Sequence, residues 1–171
     1  FAGPNGSGKS IMKNEVERTE INGRAVDLGT YVNADLIAKT LREKRTLDLA
    51  DFGVKADRVR FRKFAATSGL LGSTFPKQRF IRHHRMNGGT FTLVSHTHVE
   101  HFAQLIAAFL CEQLLLQRKK FSFETVFSHQ SKIKFMQRAK DAGYKVYLYF
   151  IATNSPEINV DRVRIRVQRG G

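Results

Sequence analysis

The sequence offers no disulfide chemistry. Cys111 is the single cysteine among 171 residues, so no internal bridge can form, and a reducing compartment, the cytoplasm, is the expected setting. Long apolar runs are absent as well. A stretch such as Leu105–Cys111 is too short to cross a bilayer, so no membrane partner is expected. Acidic residues are scarce, 15 against 29 Lys and Arg, which leaves a net charge of +14. Such a balance favours anionic partners: nucleotides, nucleic acid, anionic lipid or an acidic protein. There is no internal repeat and no low-complexity linker, so residues 1–171 are expected to form one domain. With 42% apolar and 26% charged residues, general disorder and fibrous or disulfide-rich scaffolds are excluded.

What is present reads as alternating strands and helices. The patterning predicts a glycine-rich loop at 3–8 followed by a helix from Lys9 to Glu20, a strand at Thr30–Asn33, and a helix over Ala34–Arg45 with Leu36, Ile37 and Leu41 on one face. Val99–Gln117 is expected as a helix whose core face carries Phe102, Leu105, Ile106, Phe109 and Leu110. Strands are expected at Lys120–Glu124 and Lys145–Ala152, a helix at Gln130–Ala142, and a basic helix from Pro156 to Gly170-Gly171. Residues 46–97 mix basic and aromatic side chains with turn signals and give no clear period, so they are taken as a divergent insert. The alternation implies an α/β fold with a parallel sheet flanked by helices. A phosphate loop follows a whole strand, so the first strand is expected to lie before residue 1.

Gly3-Pro4-Asn5-Gly6-Ser7-Gly8-Lys9-Ser10 matches G-x-x-x-x-G-K-[ST]. Glycines admit positive φ and let the backbone wrap a phosphate. Successive N–H groups and the helix start attract negative charge. Lys9 is expected to reach the β- and γ-phosphates, and the Ser10 hydroxyl to ligate Mg²⁺. ATP and Mg²⁺ are therefore the expected cofactors.

Asp35 stands just past a predicted strand end, where ligands of open α/β sheets bind. It is either a general base for a substrate hydroxyl or a helix-start aspartate that favours the dipole. Glu124 repeats that placement and is either an Mg²⁺ or substrate contact or a surface acid. No hydrophobic strand ends in a Walker B aspartate, so Asp35 or Glu124 would fill that role. Arg162 and Arg166 share a helical face four residues apart, with Arg169 near it. They are either mobile cations over a γ-phosphate or a solvated basic face. The His96, His98 and His101 group is read as a substrate-facing or merely polar helix start in preference to a zinc site. His83 and His84 are read as solvent-facing and Cys111 as core. Arg58, Arg60, Arg62 and Lys63, interleaved with Phe61 and Phe64, are either a nucleic-acid patch or a solvated helix with its own apolar stripe.

Together these stretches resemble the zeta-toxin family of P-loop kinases, in its chromosomal branch. The resemblance rests on Ala2 to Ser10, Val32-Asn33-Ala34-Asp35, Phe121-Ser122-Phe123-Glu124-Thr125-Val126, Ala139 to Tyr144, and Arg162-Val163 with Arg166-Val167 and Gly170-Gly171. It implies a P-loop NTPase fold like that of nucleoside-monophosphate kinases. It implies ATP-dependent phosphorylation of a sugar hydroxyl on a UDP-N-acetylamino sugar, chiefly UDP-N-acetylglucosamine, by the toxin of a toxin–antitoxin pair. By this resemblance Asp35 is the base, Lys9 and the loop hold ATP, and Arg162 and Arg166 close over the phosphates. Asn33, Asp35, Glu124 and Thr125 line the substrate site, and an acidic antitoxin is an expected partner. Two rival readings are a kinase acting on an RNA or DNA end or a nucleoside, and a non-catalytic nucleotide-gated interaction module.

Overall fold

The chain is described by a computed structural model over residues 1–168. Arg169, Gly170 and Gly171 lie outside the described residues, as does the side chain of Arg166. In chain order the elements are α1 (Lys9–Arg18), β1 (Glu20–Ile21), β2 (Arg24–Ala25), β3 (Thr30–Val32), α2 (Ala34–Lys44), β4 (Thr46–Asp48), a 3-10 turn (Leu49–Phe52), α3 (Arg58–Thr67), α4 (Lys77–His83), β5 (His84–Asn87), β6 (Thr90–Leu93), α5 (Val99–Leu116), β7 (Phe121–Phe123), α6 (Ser131–Asp141) and α7 (Pro156–Gln168). They divide into two compact units. One comprises Phe1–Leu28 with Phe123–Gly171, the other Gly29–Ser122.

The second unit is organised by α5. Its 18 residues place Phe102, Leu105, Ile106, Phe109 and Leu110 on one buried side, as the periodicity requires, and Cys111 is buried beside them. Helix α2 packs along α5 through Ile37, Ala38 and Leu41. Leu36, expected on that face, is instead exposed, because the helix turns Ala38 inward in its place. Among the described residues α5 is the one helix long and apolar enough to cross a membrane, and 61% of that window is buried inside the fold.

The segment 46–97 is not irregular. It forms an antiparallel sheet in the order β4-β6-β5. The β5–β6 hairpin closes through Gly88-Gly89 between the paired Asn87 and Thr90, and the positive φ of Gly88, 54°, is the glycine-favouring conformation of a tight two-residue turn. Burial alternates along β5 and β6, so His84, Met86, Phe91 and Leu93 face inward. Phe61 of α3 sits at the centre of this core. Its ring meets Phe80 at 5.9 Å, Phe91 at 5.8 Å and Phe109 at 5.1 Å. Full burial of each such ring contributes about 1.5–3 kcal/mol. Strand β3 pairs with β7, and Thr30 N–H donates to the Lys120 carbonyl at 3.1 Å.

His84, expected in solvent, is 2% exposed. It lies parallel to Phe91, and its Nδ1 meets the Phe80 carbonyl. The alternation of β5 turns it inward, and the apolar body of an imidazole fills that position. Burial, with Arg62, Arg85 and Arg58 nearby, holds its pKa below the ordinary histidine value despite the Phe80 bond.

In the first unit the parallel expectation is met locally. Ala2 bridges Thr125 on one side and Phe150 on the other, both parallel. Ala2 N–H donates to the Tyr149 carbonyl and Ile151 N–H donates to the Ala2 carbonyl, each at 2.8 Å. The Lys145–Ala152 strand is corrected: apart from the bridge at Phe150 this stretch carries no strand assignment. Among the described residues the ladder bonds this stretch makes are the two with Ala2, which form an isolated bridge and not a continuous strand.

Candidate functional site

The loop at 3–8 is shaped by positions that only glycine fits. Gly3, Gly6 and Gly8 have φ of 147°, 82° and 95°. A Cβ on Gly3 would stand 2.1 Å from the Ile151 carbonyl oxygen, and one on Gly6 would stand 2.6 Å from the Asn159 carbonyl oxygen. Beyond Gly8 the space is open. Helix α1 begins there with no side chain capping its first turn, so its leading N–H groups are those an anion would meet.

Lys9 bends back over the loop. Its Nζ donates to the carbonyls of Gly3 at 3.0 Å and Pro4 at 2.9 Å. A cation held on the carbonyls of the loop stands beside the helix start that a phosphate would meet. Ser10 Oγ donates to Glu124 Oε1 at 2.9 Å. A hydroxyl and a carboxylate converging in this way are hard oxygen donors suited to Mg²⁺. Ser7 Oγ is buried and has no hydrogen-bond partner. An orphaned hydroxyl inside a glycine loop fits a loop built to meet a polar ligand.

The same unit brings α7 to the loop. Arg162 Nη1 donates to the Gly6 carbonyl at 3.3 Å. Arg166 lies one turn further along α7. A cavity of about 530 Å³ opens between the loop and this helix, lined by Pro4, Asn5, Thr153, Pro156, Asn159 and Val163. Buried Asn159 Oδ1 has no partner in it. Asn159 and the cavity were not foreseen. The only trace in the sequence is the placement of Asn159 three residues before Arg162.

Thr125 anchors the loop from below. Its N–H donates to the Phe1 carbonyl at 2.9 Å, its carbonyl accepts from Gly3 N–H at 3.2 Å, and its hydroxyl accepts from Phe127 N–H at 3.2 Å. Of the expected residues, Gly3 to Ser10, Glu124, Thr125 and Arg162 therefore meet within one unit.

Asn33 and Asp35 belong to the second unit. Asn33 is the N-cap of α2. Its Oδ1 accepts from the N–H groups of Asp35 at 2.8 Å and Leu36 at 3.3 Å, and its Nδ2 donates to the Tyr31 hydroxyl at 3.0 Å. Capping fixes the backbone at Asp35, whose carboxylate stands exposed in the first turn. Among the described residues no three His, Cys, Asp or Glu side chains converge as a multi-ligand metal centre would require, those of His96, His98 and His101 included. Instead His98 meets Arg79 Nη1 at 3.4 Å, and the rings of His98 and His101 rest on Phe75. A cavity of about 550 Å³, lined by Arg42, His96, His98, Val99, Glu100 and His101, opens there.

Comparison with known proteins places the chain. It is 41% identical over 51 residues to a Haemophilus influenzae protein described as uncharacterized, an alignment covering 30% of this chain and 36% of that relative. The chain thus spans about a third of the length of that relative. No solved structure matches. The family model for Zeta toxin matches residues 79–171, more than half of the chain. The matched stretch contains Glu124, Thr125, Arg162 and Arg166 and begins after the glycine loop and Asp35. The chain belongs to the Zeta toxin family, a group of kinase-like, nucleotide-binding proteins.

Proposed function

We propose that this protein is an ATP-dependent phosphotransferase acting on the hydroxyl of a small acceptor, with a UDP-N-acetylamino sugar such as UDP-N-acetylglucosamine as that acceptor. The observation that carries the reading is the assembly around the loop: Lys9 on the Gly3 and Pro4 carbonyls, Ser10 on Glu124, and Arg162 on Gly6. The open space beyond Gly8, the uncapped start of α1 and the orphaned Ser7 hydroxyl fit a bound polyphosphate.

Gly3 to Ser10 would hold the phosphates of ATP, with Ser10 and Glu124 as the oxygen donors toward Mg²⁺. Bound ATP·Mg²⁺ supplies the phosphoryl group. Lys9 and Arg162, joined by Arg166, counter charge that develops on the transferring oxygens. Asp35 orients the acceptor hydroxyl and takes its proton. Asn33 sets the backbone from which Asp35 projects, and Thr125 with Glu124 contributes to the acceptor side. The protein acts as the toxin of a toxin–antitoxin pair in the cytoplasm, and an acidic antitoxin is its natural protein partner.

The test is product analysis. The protein is incubated with ATP·Mg²⁺ and a panel of UDP-sugars, nucleosides and RNA oligonucleotides, and phosphorylated products are sought by mass. A phosphorylated UDP-N-acetylamino sugar supports the assignment. Phosphate found only on RNA or a nucleoside would reassign the acceptor.

A further inference from the structure

One charged surface lies outside the site described above. Residues 55–85 contain nine Lys and Arg and a single acid, Asp57. Asp57 is already engaged, since its Oδ1 accepts from Arg60 N–H at 2.9 Å as the N-cap of α3. None of the nine cations forms an ion pair among the described residues.

The fold concentrates these charges. Helix α3 turns Phe61 and Ala65 into the core and leaves Arg58, Arg60, Arg62 and Lys63 exposed. Phe61 contacts Phe80 of α4 and His84 of β5, so the three elements are packed neighbours. Arg58 and Arg62 from α3 and Arg85 from β5 all act on the same buried residue, His84. Arg85 Nη1 donates to the carbonyls of His84 at 2.9 Å and Arg82 at 3.4 Å, but no carboxylate among the described residues pairs with Arg58, Arg62 or Arg85, and like charges on packed neighbours repel. A bound anion would relieve that repulsion.

We propose that the α3–α4–β5 face, centred on Arg58, Arg62 and Arg85, is a docking surface for the phosphate backbone of a nucleic acid strand. Arginine predominates over lysine on this face, and its planar fork suits phosphate oxygens. Of the aromatic rings that could have stacked on bases, Phe61 at 1% exposure and Phe80 at 3% point inward, and half-buried Phe64 rests against Phe109 at 5.4 Å. The surface therefore reads the backbone and not the base sequence. An acidic protein would need an apolar centre to its interface. Val59 and Ile81 are the only exposed large apolar side chains on α3 and α4.

The experiment is fluorescence anisotropy of the full chain with labelled mixed-sequence single strands of about 20 nucleotides, one of RNA and one of DNA. Binding to either supports the proposal, and the tighter of the two names the source of the phosphates. Affinity should fall about 50-fold between about 50 and 200 mM salt if roughly four phosphates are neutralised. The triple variant Arg58→Glu, Arg62→Glu, Arg85→Glu should weaken binding at least about tenfold with ATP turnover unchanged. A charge-matched triple in the other unit, Arg18→Glu, Arg24→Glu, Lys134→Glu, should change it less than about threefold. Equal losses in both triples would reduce the effect to net charge and overturn the site. Displacement by polyglutamate as effective as by unlabelled nucleic acid would overturn it in favour of an acidic protein. Circular dichroism checks folding. If the reversed triple does not fold, Arg58→Gln with Arg62→Gln repeats the comparison.

Discussion

Ser10 Oγ donates a hydrogen bond to Glu124 Oε1 at 2.9 Å, joining the first turn of α1 to a residue 114 positions away at the end of β7. The contact puts the hydroxyl of the glycine-loop motif and a strand-end carboxylate on one point. Under the proposed function, Glu124 takes the place of a Walker B aspartate. Ser10→Ala and Glu124→Gln are each expected to lower turnover by roughly 10²-fold, the scale of losing one charge-stabilising group. Both should raise the Mg²⁺ concentration needed for half-maximal rate. Titrating Mg²⁺ against rate checks this, and an unchanged midpoint in both variants would remove Glu124 from the metal role.

Asp35 is exposed in the first turn of α2, its backbone held by the Asn33 cap. If it takes the acceptor proton, Asp35→Asn lowers kcat by about 10²–10⁴-fold and leaves ATP affinity within a few-fold. Asn33→Ala should also lower kcat, through the position of Asp35, and should cost about 1 kcal/mol of stability as a lost cap. Steady-state kinetics and calorimetric ATP binding on the same preparations separate the effects. Near-normal kcat in Asp35→Asn would show the residue to be only a favourable helix-start charge.

The core of the second unit is a cluster of rings around α5. Phe102 is fully buried, 5.0 Å from Phe75 and 5.4 Å from Phe91. Phe102→Ala should destabilise the protein by about 3–5 kcal/mol, combining lost transfer energy with the cavity left behind. Urea denaturation measures it, and a loss below about 1 kcal/mol would mean that the cluster collapses around the gap.

His84 links stability to pH. Its imidazole is buried neutral, chiefly by desolvation, and its folded pKa lies below the unfolded one. Between those two values the unfolded chain binds a proton that the folded chain does not, so stability rises with pH. The contribution is fully present above the unfolded pKa of about 6.5 and is lost as pH falls below it. Tm is expected to decline as pH drops from about 7.5 to 5, and His84→Phe should flatten that decline. A slope identical in wild type and variant would assign the effect elsewhere. His98 is shifted the same way, by desolvation with Arg79, His101 and His83 beside it, but its partial exposure to solvent leaves His84 as the residue that carries the prediction.

The glycine loop and α5 were readable from sequence because each depends on local rules. The loop needs Gly3, Gly6 and Gly8 at fixed spacing, and α5 needs apolar side chains at helical spacing. Glu124 could be placed at a strand end, but its bond to Ser10 spans the chain and has no local signal. His84 was misread because a basic stretch, Arg82-His83-His84-Arg85, looks solvated in one dimension. The alternation of β5 decides which of those side chains turns inward. The β4-β6-β5 sheet was hidden by strand length: its members have three or four residues, too few to establish a period. The Asn87-Gly88-Gly89 turn was visible, yet without flanking periodicity it did not announce a hairpin. Lys145–Ala152 shows the reverse case. Its β-rich composition is real, but a strand also needs a continuous ladder, which here is one bridge at Phe150, and composition does not supply the rest.

The central claim is that the glycine loop drives phosphoryl transfer to an acceptor. The most direct test compares acceptor-dependent ATP consumption in wild type and Lys9→Ala, with ATP affinity measured in parallel. Consumption that requires the acceptor in wild type, and that is lost with ATP affinity in Lys9→Ala, is the predicted result. ATP binding without acceptor-dependent turnover in wild type, or turnover that survives Lys9→Ala, would contradict the account.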